Sequence, residues 1–295
     1  MVEIEYKKKN NYYRWVFIAI LIFLGVMIYS NWGVAQSISG TNNIGVLDLS
    51  GTILESREWI EDFDDFYNND RIAAILIAVN SPGGSVAPSQ EIYQRLKHAR
   101  LEKRKPIIVT FGSIAASGGY YAALGADFIF SNPGSLTGSI GVIFSTPDAS
   151  ELMEKLGVGM NVIKSGELKD GGSPYKKMTN NERQVLQSVI DDVYDQFVIA
   201  VSEERKIDKD SVMKLADGRV FSGRQAYAWN LVDSIGTFLD AKDYACDKAS
   251  ISKDATLVYP KEETVPLWKT LLKNTSYLRQ KLGTESLAPL QYKMP

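Results

Sequence analysis

The sequence predicts an α/β domain with a parallel sheet and helices on its faces, preceded by one N-terminal transmembrane helix. Strand-like and helix-like segments alternate along the chain, which is typical of α/β domains. The strand-like segments, such as Ala73–Val79 (AAILIAV), are uninterrupted apolar runs, as in strands that are buried on both faces of a parallel sheet. A longer apolar run, Trp15–Tyr29, lies near the start of the sequence.

The N-terminal apolar run predicts a membrane anchor over residues 15–32, about the length that a tilted helix needs to cross a bilayer. Four cations precede it, so residues 1–14 are expected in the cytoplasm and the main domain on the outer face. Residues 33–43 form a polar linker. Two alternatives are a cleaved signal peptide, with Gly33-Val34-Ala35 as a weak cleavage site, and a buried core helix, although no amphipathic period appears.

The first half of the domain alternates strand and helix patterns. A Pro-Gly-Gly turn follows the second strand. The expected elements are a strand at 44–51, a helix at 56–68, a strand at 73–81, a helix at 88–100, a strand at 105–112, a helix at 118–126 and a strand at 127–134.

The second half is more helical. A short helix is expected within 145–157, with Ser145 or Asp148 near its start, and a strand within 159–166. A long helix over about 178–206 begins with a capping box of Thr179 and Glu182. Two further helices are expected in the segment 207–241.

Composition excludes several classes of site. The formal net charge is −2 and no basic stripe stands out, so nucleic-acid binding is not expected. The one cysteine, Cys246, excludes an intrachain disulfide and Cys-rich metal sites. The one histidine, His98, lies near the charged end of a predicted surface helix, so a His-based triad is not expected either. We expect no metal and no cofactor.

Two glycine-rich turns carry the chemistry. The turn Asn80–Ser85 (NSPGGS) exposes backbone N–H groups of the kind that an oxyanion hole needs, although it also fits an ordinary tight turn. Ser117 follows a predicted strand and precedes Gly118 and Gly119, so its hydroxyl is a candidate nucleophile with an open approach. Ser113 is the other candidate nucleophile in this segment. The alternative is a small residue that permits close helix–strand packing.

A serine nucleophile without histidine needs another base, and a lysine of lowered pKa can serve. Spacing does not choose among the candidates, each of which is also compatible with a solvated lysine: Lys164, Lys169, Lys176 and Lys177. A third turn contains Ser139, whose hydroxyl either orients a neutral lysine or is an ordinary turn serine.

Over about residues 43–241 the sequence resembles the signal peptide peptidase A family of the short bacterial type. The resemblance is carried by six motifs in order: NSPGGSV, SIAASGGYY, LTGSIGV, SGELKD, ADGRVFSGRQA and NLVDSIG. It implies a Clp/crotonase-like fold for a Ser/Lys peptidase domain at 44–250. The tail at 251–295 matches no motif of the family.

The resemblance also implies roles for individual residues. Ser117 would be the nucleophile, Lys169 the general base and Ser139 the residue that assists the lysine. The oxyanion N–H groups fall on Gly83 and Gly118. The segment after Asp170, GGSPYKKM, is more glycine-rich than the family pattern, which leaves the geometry of that loop open.

Substrate and assembly are further implications of the resemblance. The protein would hydrolyse apolar peptides, such as cleaved signal peptides, at a bacterial inner membrane that it contacts through its N-terminal helix. It would form a homo-oligomeric ring in which neighbouring subunits share each site. The rival hypotheses are a crotonase-type acyl-CoA enzyme, a non-catalytic membrane-anchored scaffold, and a protease for membrane-protein quality control.

Overall fold

The structure is a computed structural model that describes residues 42–261, the backbone of Gln291–Lys293, and three isolated residues, Phe17, Ile20 and Leu21. The chain divides into two compact units between Thr41 and Asn42. Only the second unit is described below.

The predicted anchor at 15–32 falls outside the described residues, apart from the three isolated ones, and so does the linker up to residue 41. Among the residues that are described, no helix has both the length and the apolar character needed to span a bilayer.

The main sheet has eight strands and is parallel except at one edge. Its strands are β1 (Asn43–Ser50), β2 (Ile72–Ser81), β4 (Ile107–Ala116), β5 (Phe128–Ser131), β6 (Leu136–Gly138), β7 (Val220–Ser222), β8 (Ser234–Ile235) and β9 (Thr256–Val258). Their order is β7-β6-β4-β2-β1-β9, and β5 pairs with both β4 and β8. The pair β6–β7 is antiparallel. Two short strands, β3 (Gly83–Ser85) and β10 (Gln291–Lys293), form a separate antiparallel pair.

Helices cover both faces of this sheet. They are α1 (Arg57–Asn68), α2 (Val86–Glu102), α3 (Gly118–Ala123), α4 (Ser150–Lys155), α5 (Asn180–Arg205), α6 (Lys209–Leu215), α7 (Gly223–Ala228) and α8 (Phe238–Ala249). Residues Glu167–Asp170 form a single 3₁₀ turn.

Alternate residues of the central strands enter two separate cores. Leu47 and Ile77 belong to the larger core, which also contains the apolar faces of α1, α2 and α5. Val46 and Leu76 belong to the smaller core, under α8, where Cys246 is fully buried. Side chains of a strand point alternately to its two faces, so apolar residues at successive positions require cover on both sides. The predicted parallel sheet with helices on its faces is confirmed.

Strand β4 is shared between two neighbours, and this places the turn that contains Ser117. Its first half, Ile108–Phe111, pairs with β5, whereas Ile114–Ala116 pairs with β6. The side chain of Ser135 donates to the Gly112 carbonyl at 2.6 Å, between the two halves. The end of β4 is therefore held by β6 on the side opposite β2, directly before Ser117.

The long helix is confirmed, including its capping box: Thr179 accepts from the Glu182 N–H and the Glu182 side chain accepts from the Thr179 N–H. The strand expected within 159–166 is wrong. Those residues form no strand, and Ile163 is fully exposed. A local apolar pattern does not form a strand where no neighbouring strand offers hydrogen bonds. The sequence did not predict the short strands β6, β7 and β8, nor β9 and β10 in the tail.

Candidate active site

Ser117 occupies a strained turn between β4 and α3. Its backbone angles are φ 54° and ψ −120°, a conformation that residues with a Cβ rarely adopt. The turn is fixed by two backbone bonds: the Ser117 N–H donates to the Gly138 carbonyl at 2.8 Å, and the Ser117 carbonyl accepts from the Tyr121 N–H at 2.8 Å. Strained backbone of this kind persists where the surroundings enforce it, and it is frequent at functional sites.

The Ser117 hydroxyl is buried and has no hydrogen-bond partner among the described residues. A buried hydroxyl without a partner costs free energy. The hydroxyls of Thr110 and Thr137 share this property, so it points to Ser117 only together with the strained turn. The glycines next to Ser117 also have a structural role. A Cβ on Gly119 would lie 2.9 Å from the Ser81 carbonyl oxygen, so only glycine lets α3 begin this close to the end of β2. Gly118 is the first residue of α3, where N–H groups have no acceptor within the helix.

The second turn, Ser81–Gly84, is held by local bonds. The Gly83 N–H donates to the Ser81 hydroxyl at 3.1 Å, and that hydroxyl donates to the Gly51 carbonyl at 2.6 Å. Gly83 has φ 98°, which suits glycine. An oxyanion that binds at Gly83 must therefore share the N–H with Ser81 or displace it.

Ser139 lies beside the nucleophile candidate. It directly follows Gly138, whose carbonyl accepts from the Ser117 N–H, and it is also buried with a positive φ of 49°. Its own N–H donates to the Arg219 carbonyl at 2.8 Å, which ties it to the residues before β7. Ser139 lines an open cavity of about 400 Å³ together with Val142, Tyr194 and other residues. The structure thus brings Ser117 and Ser139 to adjacent strand ends.

The four candidate lysines differ in their partners. Lys164 pairs with Asp170 at 2.6 Å, Lys176 with Asp170 at 3.1 Å and also with Glu182, and Lys177 with Glu151 at 2.9 Å. The bond to Glu182 raises the pKa of Lys176, and the bond to Glu151 raises the pKa of Lys177. The bond from Lys164, reinforced by Lys176, lowers the pKa of Asp170.

Lys169 is different from the other three. It lies in the 3₁₀ turn, is exposed, and makes no side-chain hydrogen bond or ion pair with the described residues. It therefore does not bond to the Ser117 hydroxyl within one chain. Of the four candidate lysines, Lys169 thus has no ion pair within the described part of the chain, whereas the other three are paired.

The segment that carries Lys169 exposes an unusual amount of apolar surface. Its large apolar side chains, each at least 44% exposed, are Leu152, Leu156, Val158, Met160, Val162, Ile163 and Leu168. A concentration of exposed large apolar side chains within one segment is typical of an interaction surface.

Comparison with known proteins identifies the chain. The model of the family described as peptidase family S49 matches residues 99–252. A Synechocystis protein whose name describes it as an unconfirmed protease is 40% identical over 225 residues, which are 75% of this chain and 80% of the relative. The chain belongs to peptidase family S49.

Two other S49 relatives carry more specific names. A protein of Enterococcus faecium that is provisionally named signal peptide peptidase SppA is 42% identical over 204 residues, which are 69% of this chain and 58% of the relative. The chloroplastic serine protease SPPA of Arabidopsis thaliana is 30% identical over 217 residues, which are 72% of this chain and 32% of the relative. The resemblance to the signal peptide peptidase A family is confirmed.

The S49 match includes Ser117, Ser139 and Lys169 but begins after Gly83. Sequence reasoning missed two groups beside these residues. The Ser81 hydroxyl accepts a hydrogen bond from the Gly83 N–H. In the sequence, only the position of Ser81 directly before the Pro-Gly-Gly turn indicated this role. Asp170 pairs with two of the four lysines, and its signal was its place directly after Lys169.

Proposed function

We propose that this S49 protein is a serine endopeptidase in which Ser117 is the nucleophile. The observation that carries the proposal is the Ser117 hydroxyl itself: it is buried, has no partner in the described part of the chain, and is held in a strained turn at the N-terminus of α3. A catalytic nucleophile needs a hydroxyl that is free to bond to a substrate carbonyl rather than one held in a permanent hydrogen bond to the protein. The substrates are apolar peptides, such as cleaved signal peptides.

Lys169 is the general base. A lysine accepts a proton only when it is neutral, and a carboxylate partner holds the proton on lysine. Lys164, Lys176 and Lys177 have such partners, and Lys169 has none among the described residues. Burial disfavours the charged form of a lysine side chain, and a neighbouring subunit that covers this turn would supply such burial. No cofactor takes part in this mechanism.

The base comes from a neighbouring copy of the chain in a homo-oligomeric ring. Two observations support this arrangement. The Ser117 hydroxyl has no lysine partner among the described residues of its own chain, and the segment around Lys169 exposes apolar side chains that a second subunit would cover. Ser139, which lies beside Ser117, donates a hydrogen bond that orients the neutral amine.

The reaction proceeds in two halves. As the Ser117 oxygen bonds to the scissile carbonyl carbon, its proton moves to the Lys169 amine. The N–H groups of Gly118 and Gly83 bind the oxyanion, and Gly83 releases the Ser81 hydroxyl to do so. The Lys169 ammonium then protonates the leaving amine as the C–N bond breaks. Water attacks the resulting ester by the same route, with Lys169 taking its proton and returning it to Ser117.

The N-terminal segment at 15–32 is the proposed membrane anchor. It places the peptidase domain on the outer face of the bacterial inner membrane, where residual signal peptides remain in the bilayer. This part of the proposal rests on the sequence, since the segment lies outside the described residues.

Site-directed variants of the full chain in detergent test the proposal. Hydrolysis of a fluorogenic apolar peptide is measured for Ser117→Ala and Lys169→Ala, with Ser113→Ala and Lys164→Ala as matched controls. We expect both site variants to be inactive and both controls to be active. Activity in Ser117→Ala would exclude the nucleophile, and activity in Lys169→Ala would exclude the base.

Mixing tests the shared site. When the two inactive variants are unfolded and refolded together in equal amounts, about a quarter of the sites in a ring combine an intact serine with an intact lysine from the next subunit. We therefore expect about a quarter of the wild-type activity. No recovery, in mixed rings shown to contain both variants, would place the whole site within one chain.

A further inference from the structure

Helix α3, which follows the Ser117 turn, is too short to hold its own position. It has six residues, Gly118–Ala123, whereas isolated helices shorter than about 12–15 residues are marginal in water. Its Tyr121 N–H donates to the Ser117 carbonyl at 2.8 Å, so a movement of α3 also moves the backbone of the turn. Contacts with other parts of the fold must therefore fix both.

One such contact is made by the side chain of Tyr120. Its ring is fully buried and packs edge-on against Phe111 of β4, with the ring centroids 6.4 Å apart. Its hydroxyl donates to the carbonyl of Leu231, a fully buried residue, at 2.8 Å. Burial raises the pKa of Tyr120, so the hydroxyl keeps its proton and remains a donor. The bond joins α3 to the motif NLVDSIG at 230–236, which has no role in the proposed chemistry.

The segment that accepts this bond is fixed by a buried arginine. The guanidinium of Arg205, the last residue of α5, donates to both carboxylate oxygens of Asp233, at 2.8 and 3.0 Å. Its Nε donates to the Asn230 carbonyl at 2.8 Å. Bidentate pairs of this kind fix geometry as well as adding energy. Leu231 lies between the two fixed residues, so its carbonyl has little freedom to move.

The same segment is bonded to β5. The Asp233 N–H donates to the Ile129 carbonyl at 2.9 Å, and the Ile129 N–H donates to the Asp233 carboxylate at 2.8 Å. Strand β5 pairs in turn with the first half of β4, the strand that leads into Ser117. Both sides of the turn, β4 before it and α3 after it, are therefore held in place relative to β5.

The strain at Ser117 explains why the turn needs to be held on both sides. Its conformation, φ 54° and ψ −120°, persists only where the surroundings enforce it. The bond from the Ser117 N–H to the Gly138 carbonyl holds one side, and the Tyr120 bond holds the other. Without the Tyr120 bond, a rotation of α3 would relieve the strain and would move the N–H of Gly118, the next residue.

We propose that Tyr120 is a positioning residue of the active site, whose hydroxyl fixes α3 to Leu231 and thereby keeps the Gly118 N–H oriented towards the oxyanion. The inference rests on the proposed peptidase function. Because the oxyanion develops only as the reaction proceeds, a displaced donor lowers kcat without weakening substrate binding. A displacement of about 1 Å can cost about 100-fold, so a partial displacement should lower kcat about tenfold and change KM less than about twofold.

The test removes one hydroxyl and keeps the ring. Tyr120→Phe is compared with Tyr67→Phe, since Tyr67 is equally buried and its hydroxyl donates to the Ala99 carbonyl at the same distance, 2.8 Å. That bond joins α1 to α2, which carry no proposed catalytic residue. Steady-state hydrolysis of a fluorogenic apolar peptide is measured for the full chain and both variants in detergent.

We expect Tyr120→Phe to have about tenfold lower kcat at nearly constant KM, and Tyr67→Phe to have wild-type kinetics. Equal kcat values in the two variants, or a loss of activity that lies entirely in KM, would overturn the proposal.

A second variant tests whether the effect passes through Leu231. Arg205→Lys keeps the charge but cannot make the bidentate pair with Asp233. Residues that act through one hydrogen-bond network are not additive. The loss of kcat in the double variant Tyr120→Phe with Arg205→Lys should therefore be smaller than the product of the two single losses. Fully multiplicative losses would contradict a shared path.

Amide hydrogen exchange separates this proposal from the peptidase function. The exchange rate of the Tyr121 amide is measured in Ser117→Ala protein, alone and combined with Tyr120→Phe or Tyr67→Phe. We expect Tyr120→Phe to raise this rate about two- to tenfold relative to that of the Val109 amide in β4, and Tyr67→Phe to leave the ratio unchanged. An unchanged ratio in Tyr120→Phe would refute the positioning role. A raised ratio, with no peptide hydrolysis by any protein that retains Ser117, would refute the peptidase function and leave the contribution of Tyr120 to the turn intact.

Discussion

The backbone at Ser117 makes a prediction about stability. At φ 54° and ψ −120° a side chain is strained, and such conformations cost about 1–3 kcal/mol each. Glycine adopts positive φ without this cost. Replacing alanine by glycine at position 117 should therefore be more favourable for the free energy of unfolding than the same change at an ordinary position. The comparison does not depend on the hydrogen bonding of the serine hydroxyl, because neither alanine nor glycine has a hydroxyl.

Ala116 supplies the matched control. It is fully buried, directly precedes Ser117 in β4, and does not have a positive φ. Ala116→Gly should lower the free energy of unfolding by about 1.5 kcal/mol, the sum of about 0.5–1 for glycine entropy and about 0.8 for one buried carbon. At position 117 the same loss is offset by the released strain, so the net effect lies between a loss of about 0.5 and a gain of about 1.5 kcal/mol.

Urea unfolding of three proteins measures the difference: Ser117→Ala, Ser117→Gly, and Ser117→Ala with Ala116→Gly. The two glycine proteins should differ by about 1–3 kcal/mol, or roughly 2–4 °C in melting temperature for each kcal/mol. If both glycines destabilise the Ser117→Ala protein equally, the turn is not strained and the structural reason for assigning the nucleophile is lost.

Three further predictions follow from the site. A general base acts in its neutral form, so kcat/KM should not fall between about pH 7 and about pH 9, and a pH–rate profile that falls over this range would contradict a lysine base. The pKa of Asp170 is lowered from 3.8 by its lysine partners, so Asp170 stabilises its loop above about pH 4 and loses that contribution as the pH falls through its pKa in the folded protein. Tryptic cleavage of the loop should therefore increase in Asp170→Asn at about pH 7. An unchanged cleavage rate would refute the ion pairs between Asp170 and the lysines. Gly119→Ala should lower the free energy of unfolding by about 1–3 kcal/mol and lower activity, because the new Cβ would meet the Ser81 carbonyl oxygen. Gly134→Ala is the control: Gly134 has open space around it, so this change should leave the free energy of unfolding unchanged in the same assay.

Features that depend on local pattern could be predicted from the sequence. Uninterrupted apolar runs such as that of β2 require cover on both faces, and the structure has helices there. The capping box of Thr179 and Glu182 was visible because its two bonds join residues three apart. Ser117 was a candidate nucleophile from the sequence because a serine before two glycines at a strand-to-helix turn leaves an open approach, and that role stays a prediction.

Features that depend on distant partners could not be predicted. The apolar residues 159–163 have the composition of a strand, but no strand lies beside them. Strand β10 has only three residues, and its pairing with Gly84 depends on the chain's return to the first turn. The four lysines were equivalent by spacing, and Lys169 was singled out by the family resemblance alone. The ion pairs of Lys164, Lys176 and Lys177 depend on three-dimensional contacts that spacing does not predict.

The pairing of β1 with β9 has a consequence for how the protein can be produced. On the outer edge of β1, residues Asn43–Gly45 pair with Thr256–Val258, which lie more than two hundred residues later in the chain. Until that part of the chain is synthesised, β1 presents open hydrogen-bonding groups and the apolar Ile44, which other chains can pair with. An expressed fragment that stops before Thr256 should therefore aggregate even though it contains every proposed catalytic residue, and the same interval is when the nascent chain most needs a chaperone.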